Sequence, residues 1–163
     1  MSANHELSVT RLIAAPPETV YRVWTTRTGE WWAPLPWKTP VVENELRPGG
    51  RAYHEMESPE GDRHPGDGVF LEVVPNERIV FTNIFTTGWA LQSLSGQGCD
   101  FAIVAIVTFE PEGSGTRYTA RVRHANEETL RKHDEMGFSE GWGQCTAQLA
   151  ELAEAEAGAR AAA

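Results

Sequence analysis

Between Arg117 and His124 the sequence reads Arg-Tyr-Thr-Ala-Arg-Val-Arg-His, and this stretch decides the fold. Arginine or threonine stands at every second position from 117, and Tyr118, Ala120, Val122 and His124 stand between them. Successive side chains of a strand point to opposite faces of a sheet, so the alternation predicts a strand with one wet and one buried face. The protein therefore contains a sheet with one face that other elements of the chain must bury.

The residues before this strand predict an antiparallel sheet. Phe101 to Glu110 is rich in β-branched residues, and Glu112-Gly113-Ser114-Gly115 turns it into the strand at 117–124. Turn signals such as Arg47-Pro48-Gly49-Gly50 and Pro59-Glu60-Gly61-Asp62 punctuate the chain from Val41 onward. The intervals between the turns predict strands at about 41–47, 51–57, 67–74 and 78–85.

The N-terminal segment predicts an edge strand and two short helical pieces. His5 to Ala14 alternates in the manner of a strand. Ala15-Pro16-Pro17-Glu18 places prolines and an acid at a helix start, which predicts an amphipathic helix over about 16–26. Thr28 to Trp32 adds one helical turn before Pro34 and Pro36.

The C-terminal segment predicts a long helix. Asn126 is a good N-cap, and helical character continues to about Ala157 with a break near 137–139, where Gly137 stands. An apolar stripe follows the break, and its members are Trp142, Cys145, Thr146, Leu149, Leu152 and Ala153. The tail 158–163 is expected to fray.

The order of these elements is strand, helix, six strands and a long helix. The sheet must wrap on the last helix, because no other element can cover its apolar stripe. We expect an α+β helix-grip fold, with a curved antiparallel sheet of six or seven strands on a long C-terminal helix and one or two short helices after strand 1. The prediction is one domain over 1–163, with a core over about 6–153.

Composition narrows the classes of partner. The 163 residues include 23 acids against 14 Lys and Arg, a formal charge of −9, which repels phosphate backbones and anionic lipid. We expect neither nucleic acid nor membrane as a partner, and no leader-like or spanning apolar stretch is evident, which indicates a cytoplasmic protein. Cys99 and Cys145 are far apart and are expected to be reduced and structural.

Several motifs occur in an order typical of one family. They are Ile13-Ala14-Ala15-Pro16-Pro17-Glu18-Thr19-Val20, Glu30-Trp31-Trp32, Leu46-Arg47-Pro48-Gly49-Gly50, Gly68 to Pro75 with Glu77 to Thr82, and Met136 to Trp142. With these motifs the chain resembles the family related to the C-terminal domain of the Hsp90 ATPase activator, within the START-like (SRPBCC, polyketide cyclase and lipid-transport) superfamily. The resemblance implies a helix-grip fold with a hydrophobic cavity. It implies no particular reaction, since function lies in sites rather than folds.

Three residues are candidates for acid/base chemistry. His54 shares a strand face with Ala52 and Met56, so an inward imidazole is available to bind or move a proton, or else to hydrogen-bond within a semi-polar core. Tyr53 is a second candidate. Glu72 lies among apolar residues and is either a buried acid with a raised pKa or an outward carboxylate paired to Arg78.

Aromatic residues predict the walls of the cavity. The chain has six tryptophans, several of them in short helices or loops that would rim a helix-grip cavity. Trp24, Trp32 and Trp142 also fit a plain core role, which helical spacing and apolar neighbours favour for Trp24 and Trp142. Trp37 and Trp89 are the better ligand candidates, and His124 also fits a helix junction. The predicted lining comprises Trp31, Trp32, Trp37, His54, Met56, Phe70, Phe85, Trp89, Tyr118, His124 and Trp142.

Signals for other chemistries are absent from the sequence. No HExxH or CxxC suggests a metal, and His133-Asp134-Glu135 face different ways on a helix. No GxSxG elbow or GxxxxGK loop occurs, and no cofactor is expected. Cys145 on the helix stripe fits a small core residue.

These observations leave three hypotheses about function. The first is a protein that binds a small hydrophobic or aromatic molecule in the cavity. The second is a cyclase- or hydrolase-like enzyme that uses His54 with Glu72 or Tyr53. The third is a co-chaperone-type interaction module, which the family resemblance alone implies. A homodimer through an exposed sheet edge is a further expectation.

Overall fold

The computed structural model describes residues 4–96 and 100–162, so the expectation for Cys99 lies outside the described residues. The strands are β1 (Glu6–Ile13), β2 (Lys38–Asn44), β3 (Arg51–Glu57), β4 (Arg63–Val74), β5 (Arg78–Thr82), β6 (Phe85–Thr86), β7 (Ala90–Leu91), β8 (Ile103–Glu112) and β9 (Gly115–His124). The helices are α1 (Pro17–Thr26), α2 (Thr28–Trp31), α3 (Glu127–Glu135) and α4 (Phe138–Ala162).

Seven strands form one antiparallel sheet in the order β1-β9-β8-β5-β4-β3-β2. The predicted α+β fold is confirmed, with β1 at one edge and two short helices after it. The sequence did not predict the small hairpin of β6 and β7, because each of its strands has only two residues and no alternation can be read in them.

The core lies between the inner face of the sheet and α4. Cys145, Leu149 and Ala153 are 5%, 0% and 0% exposed and form the buried stripe of α4. Tyr118 and Ala120 of β9 pack against this stripe from the sheet, and α1 closes the same half of the core. The alternation of the strand 117–124 is thus explained by the burial of one of its faces.

The predicted break in the C-terminal helix falls between α3 and α4. The side chain of Asn126 caps α3, with its Oδ1 accepting a hydrogen bond from the Thr129 amide at 2.9 Å. Gly137 has φ 94°, a left-handed conformation that a glycine adopts without a Cβ clash. The chain therefore changes direction at the glycine before α4 begins.

The C-terminal tail is helical in the structure up to Ala162, and its fraying stays a prediction. Helix α4 continues past Gly158 to Ala162, although these residues are exposed. Alanine and arginine are strong helix formers, and one glycine costs only about 1 kcal/mol against alanine in a helix. Among the described residues, the structure contains no helix long and apolar enough to cross a membrane.

Truncating Leu149 tests the role of the α4 stripe. Leu149→Ala should lower the free energy of unfolding by about 2–5 kcal/mol, because it leaves a cavity where a fully buried side chain is removed. Leu12→Ala is the control, since Leu12 is 63% exposed, and should change stability by less than about 0.5 kcal/mol. Urea titration of both variants provides the measurement, and equal losses would contradict the assignment of the core.

Candidate functional site

Five aromatic side chains form a continuous cluster between α4 and the sheet. Trp31 contacts Trp24 and Trp32 with ring centroids 5.6 Å apart in each pair. Trp32 in turn contacts Trp142 of α4 at 5.0 Å and His54 of β3 at 5.7 Å, both edge to face. We call these five residues the tryptophan cluster. It connects helix α4 with strand β3 of the sheet.

The segment after α2 is fastened to α4, which fixes the position of Trp31 and Trp32. Gln148 donates from Nε2 to the carbonyl oxygens of Trp31 and Ala33 at 2.9 and 3.0 Å. The Ala33 amide donates to Sγ of Cys145 at 3.4 Å, and Thr39 Oγ1 donates to the Trp32 carbonyl oxygen. The two indoles are therefore held by backbone contacts on both sides.

Solvent reaches the inner face of the grip beside β3. Trp31 is only 2% exposed, whereas Trp32, His54, Met56 and Trp142 are half-buried although they belong to inward-facing positions or to the cluster. The half of the core under β9 shows no such exposure, because Tyr118 and Ala120 are fully buried there. The half-buried residues of the interior thus belong to β3, to α4 and to the segment after α2.

A glycine makes room for the His54 ring. His54 pairs with Gly66 of β4 across the sheet. A Cβ placed on Gly66 would lie 2.5 Å from Cε1 of His54, closer than any real carbon contact. The imidazole therefore rests on the bare backbone of β4. The sequence signal for this was a glycine in a strand, which often marks a close approach of another group.

The His54 imidazole is held neutral by its surroundings. Burial lowers its pKa to about 4, because a charged ring loses solvation at this position. Its ring contacts the Trp32 indole. Within residues 4–96 and 100–162, no hydrogen bond to either of its ring nitrogens is formed. His54 is thus an uncharged ring on the inner face of the sheet. One of its ring nitrogens can donate a hydrogen bond and the other can accept one.

Two indole N–H groups of the cluster are buried without an acceptor. Nε1 of Trp31 and Nε1 of Trp32 have no hydrogen-bond partner among the described residues. Trp24 differs, since its Nε1 donates to the hydroxyl of Tyr118 at 3.2 Å. Buried donors are nearly always paired in proteins, so these two N–H groups are exceptions in the described core. The sequence contained no signal for this feature.

The structure does not bring Tyr53 and Glu72 to His54. Tyr53 alternates with His54 on β3 and donates from its hydroxyl to Glu55 on the outer face at 2.7 Å. A bulge after Phe70 places Glu72 opposite Val80, which turns its side chain outward. There it pairs with Arg78 at 3.3 Å, the outward alternative that the sequence left open.

The remaining candidates are not members of the cluster. Trp37 contacts His64 of β4 at 5.0 Å, next to Met56 on β3. Trp89 is 54% exposed and packs on Phe85 of the β6–β7 hairpin. Tyr118 and Phe70 are buried at 2% and 1%, within the main core.

His124 joins the sheet to α3. Its Nδ1 lies 2.9 Å from the carbonyl oxygen of His5, so Nδ1 carries the proton that is donated there. Its Nε2 lies 2.8 Å from Nδ1 of His133, and both rings contact Phe101. Burial is the main cause that lowers the pKa of His133 to about 4. This arrangement fits the helix-junction alternative for His124. Among the described residues, no group of three metal-ligating side chains occurs.

Replacing Gly66 tests the packing of His54. Gly66→Ala should lower the free energy of unfolding by about 1–3 kcal/mol, because the new methyl overlaps the imidazole. The double variant Gly66→Ala/His54→Ala should recover part of that loss. Gly143→Ala on α4 is the control, with no atom within 4 Å of the new carbon, and should be neutral or stabilising by up to about 1 kcal/mol. A loss in the double variant equal to the sum of the two single losses would contradict this packing.

The lowered pKa of His54 predicts how stability depends on pH. An unfolded histidine binds a proton below about pH 6.5, whereas folded His54 resists protonation down to about pH 4. The stability that it contributes is therefore complete above pH 6.5 and is lost as the pH falls toward 4. His54→Gln should reduce the slope of unfolding free energy against pH in this window by up to about 1.4 kcal/mol per pH unit. Urea titrations from pH 7 to 4.5 measure it, and an unchanged slope would contradict the burial of a neutral ring.

Comparisons with known proteins show the family and the fold of the chain. The family model described as "Activator of Hsp90 ATPase homolog 1-like protein" matches residues 14–154. A crystal structure of a protein from Nitrosomonas europaea is similar to this chain, with 34% identity, a TM-score of 0.87, and 96% and 98% of the two chains covered. No curated protein matches the chain.

More distant structures share the fold. A solution structure from Arthrobacter aurescens has 23% identity and a TM-score of 0.78, covering 94% of this chain and 89% of the other. The crystal structure of the AHSA1 protein from Silicibacter pomeroyi has 20% identity and a TM-score of 0.68, covering 93% and 99%. At these identities the likeness concerns the fold alone.

Proposed function

Because the chain belongs to the family of Activator of Hsp90 ATPase homolog 1-like proteins, whose START-like fold commonly encloses a ligand cavity, we propose that it binds a small hydrophobic or aromatic molecule. The binding site is the space between β3 and α4. The observation that carries the proposal is the half-buried part of the tryptophan cluster on the inner side of the sheet, namely Trp32, His54 and Trp142.

The chemistry of these walls suits a flat or apolar ligand. Edge-to-face rings present both apolar faces and polar edges, and aromatic walls with a few polar groups are typical of small-molecule sites. Transfer of the ligand from water to this space is favourable by about 25 cal/mol for each Å² of apolar ligand surface that leaves the water. We therefore expect binding to depend on the size of the apolar body.

An enzymatic role is a second candidate because of His54. A neutral imidazole beside the accessible interior is able to accept a proton from a bound substrate. The other two candidates, Tyr53 and Glu72, face outward, so His54 would act without them. In an assay with a compound that the protein converts, His54→Ala should abolish the conversion and leave the fold intact.

The co-chaperone hypothesis, the cytoplasmic location and the homodimer stay predictions. A pull-down with host Hsp90 and an assay of its ATPase rate test the first of these. The homodimer requires an exposed strand, and β1 and β2 are the two edges that the sheet offers.

Ligand binding is tested by tryptophan fluorescence. Titration with a panel of apolar and aromatic compounds should quench emission saturably, because the cluster contains four of the six tryptophans. Trp142→Ala should weaken binding roughly tenfold, since it removes an aromatic wall worth about 1.4 kcal/mol. Trp89→Ala is the matched control, because its ring is exposed on the β6–β7 hairpin, and should leave Kd unchanged. Equal effects of the two variants would contradict the location of the site.

A further inference from the structure

We propose that α3 is a lid that opens by itself while the sheet and α4 stay folded, and that His133 is the latch that holds it closed. The opening uncovers aromatic side chains that lie next to the tryptophan cluster. The inference does not depend on the proposed function, because it concerns a movement of the chain and not what the chain binds.

Helix α3 has little cover of its own. None of its side chains, all of which lie in the described range 100–162, is fully buried, whereas α4 buries Phe138, Cys145 and Leu149 among others. Segments with few buried apolar contacts open at a lower free energy than the core of the same protein. We therefore expect the opening of α3 to be more frequent than global unfolding.

The ring of His133 attaches α3 to both the sheet and α4. The Nδ1–H group of His124 donates to the carbonyl oxygen of His5, so the Nε2 atom of a neutral His124 accepts a hydrogen bond from Nδ1 of His133, 2.8 Å away. The His133 ring also contacts Phe101 at 5.1 Å and Phe138 at 5.0 Å, both edge to face. One side chain of α3 thus contacts β9, the segment before β8, and α4.

The other polar side-chain contacts of α3, within residues 4–96 and 100–162, reach neither the sheet nor α4. Lys132 donates from Nζ to the carbonyl oxygen of Gly96 in a loop at 2.6 Å. Arg131 pairs with Glu127 at 2.8 Å, but both residues belong to α3 and are exposed. This ion pair supports the helix itself and does not hold it in place.

Both ends of α3 allow it to move. Gly137, between α3 and α4, has φ 94°, and a Cβ placed on it would have no described atom within 4 Å. A glycine changes between left-handed and right-handed conformations without a Cβ clash, so this joint can alter its dihedral angles at low cost. At the other end, Ala125 and Asn126 are exposed between β9 and α3.

Opening of α3 uncovers rings that are buried when it is closed. Phe101, Phe138 and His124 are 3%, 2% and 6% exposed, and each of them contacts the His133 ring. Phe138 in turn stacks on Trp142 at 5.3 Å. The lid therefore covers an aromatic surface that continues into the tryptophan cluster.

Hydrogen exchange of the native protein, followed for each amide by NMR, tests the lid. The amides of residues 131–136 report on α3 and those of 145–153 on α4, because helical hydrogen bonds break when each helix opens. Relative to their rates in an unfolded chain, the α3 amides should exchange at least roughly tenfold faster than the α4 amides. Urea below the unfolding transition should speed exchange in α4 far more than in α3, since opening α3 exposes less surface.

Leu149→Ala separates opening of α3 from global unfolding. It removes a core contact that stays formed when α3 opens, so it should speed exchange in α4 at least roughly 30-fold and change exchange in α3 by less than about twofold. Equal acceleration of the two helices would show that α3 opens only when the whole protein unfolds, and would reject the lid. If this variant does not fold, the urea series on the unchanged protein decides, and a parallel rise in both helices rejects the lid.

His133→Ala tests the latch. It should speed exchange in α3 roughly fivefold or more, because it removes the hydrogen bond to His124 together with the ring contacts. Arg131→Ala is the matched control on the same helix and should change exchange in α3 by no more than about twofold, since it removes only the pair with Glu127. Equal effects of the two variants would reject His133 as the latch. The fluorescence titration tests the proposed function separately.

Discussion

The structure depends on the burial of the α4 stripe against the inner face of the sheet. Cys145, Leu149 and Ala153 have almost no exposure, and they are covered from β9 and α1. In proteins, most of the stability of a helix comes from such tertiary packing rather than from intrinsic propensity. The sheet has to curve around the helix to provide it, and the shape of the interior follows from that curvature.

The two halves of the interior differ because their side chains differ in size. Under β8 and β9, Phe109 and Tyr118 fill the space to the helix. Beside β3 the inner face carries Ala52 and the bare backbone of Gly66, which accommodates only the His54 ring. Trp32, which follows α2, and Trp142 of α4 contact each other on this side, and both are half-buried. The half-buried residues of the interior therefore lie on one side of the core, and fully buried residues fill the other side.

The sequence predicted those features that depend on local patterns. Alternation in 117–124 and the glycine at 137 gave the sheet and the break before α4, and the face of His54 followed from period-two reasoning on one strand. The outward turn of Glu72 depends on a bulge after Phe70, which shifts the register by one residue and leaves no clear mark in the sequence. The free indole N–H groups depend on ring orientations set by three elements together, so no local pattern could reveal them.

Native mass spectrometry of the freshly purified protein tests the central claim, that a small molecule occupies the space between β3 and α4. We expect a discrete added mass that is present with the folded protein and is released when the protein is denatured. A protein that shows only its own mass, both as purified and after incubation with an apolar extract of its host cells, would contradict the claim.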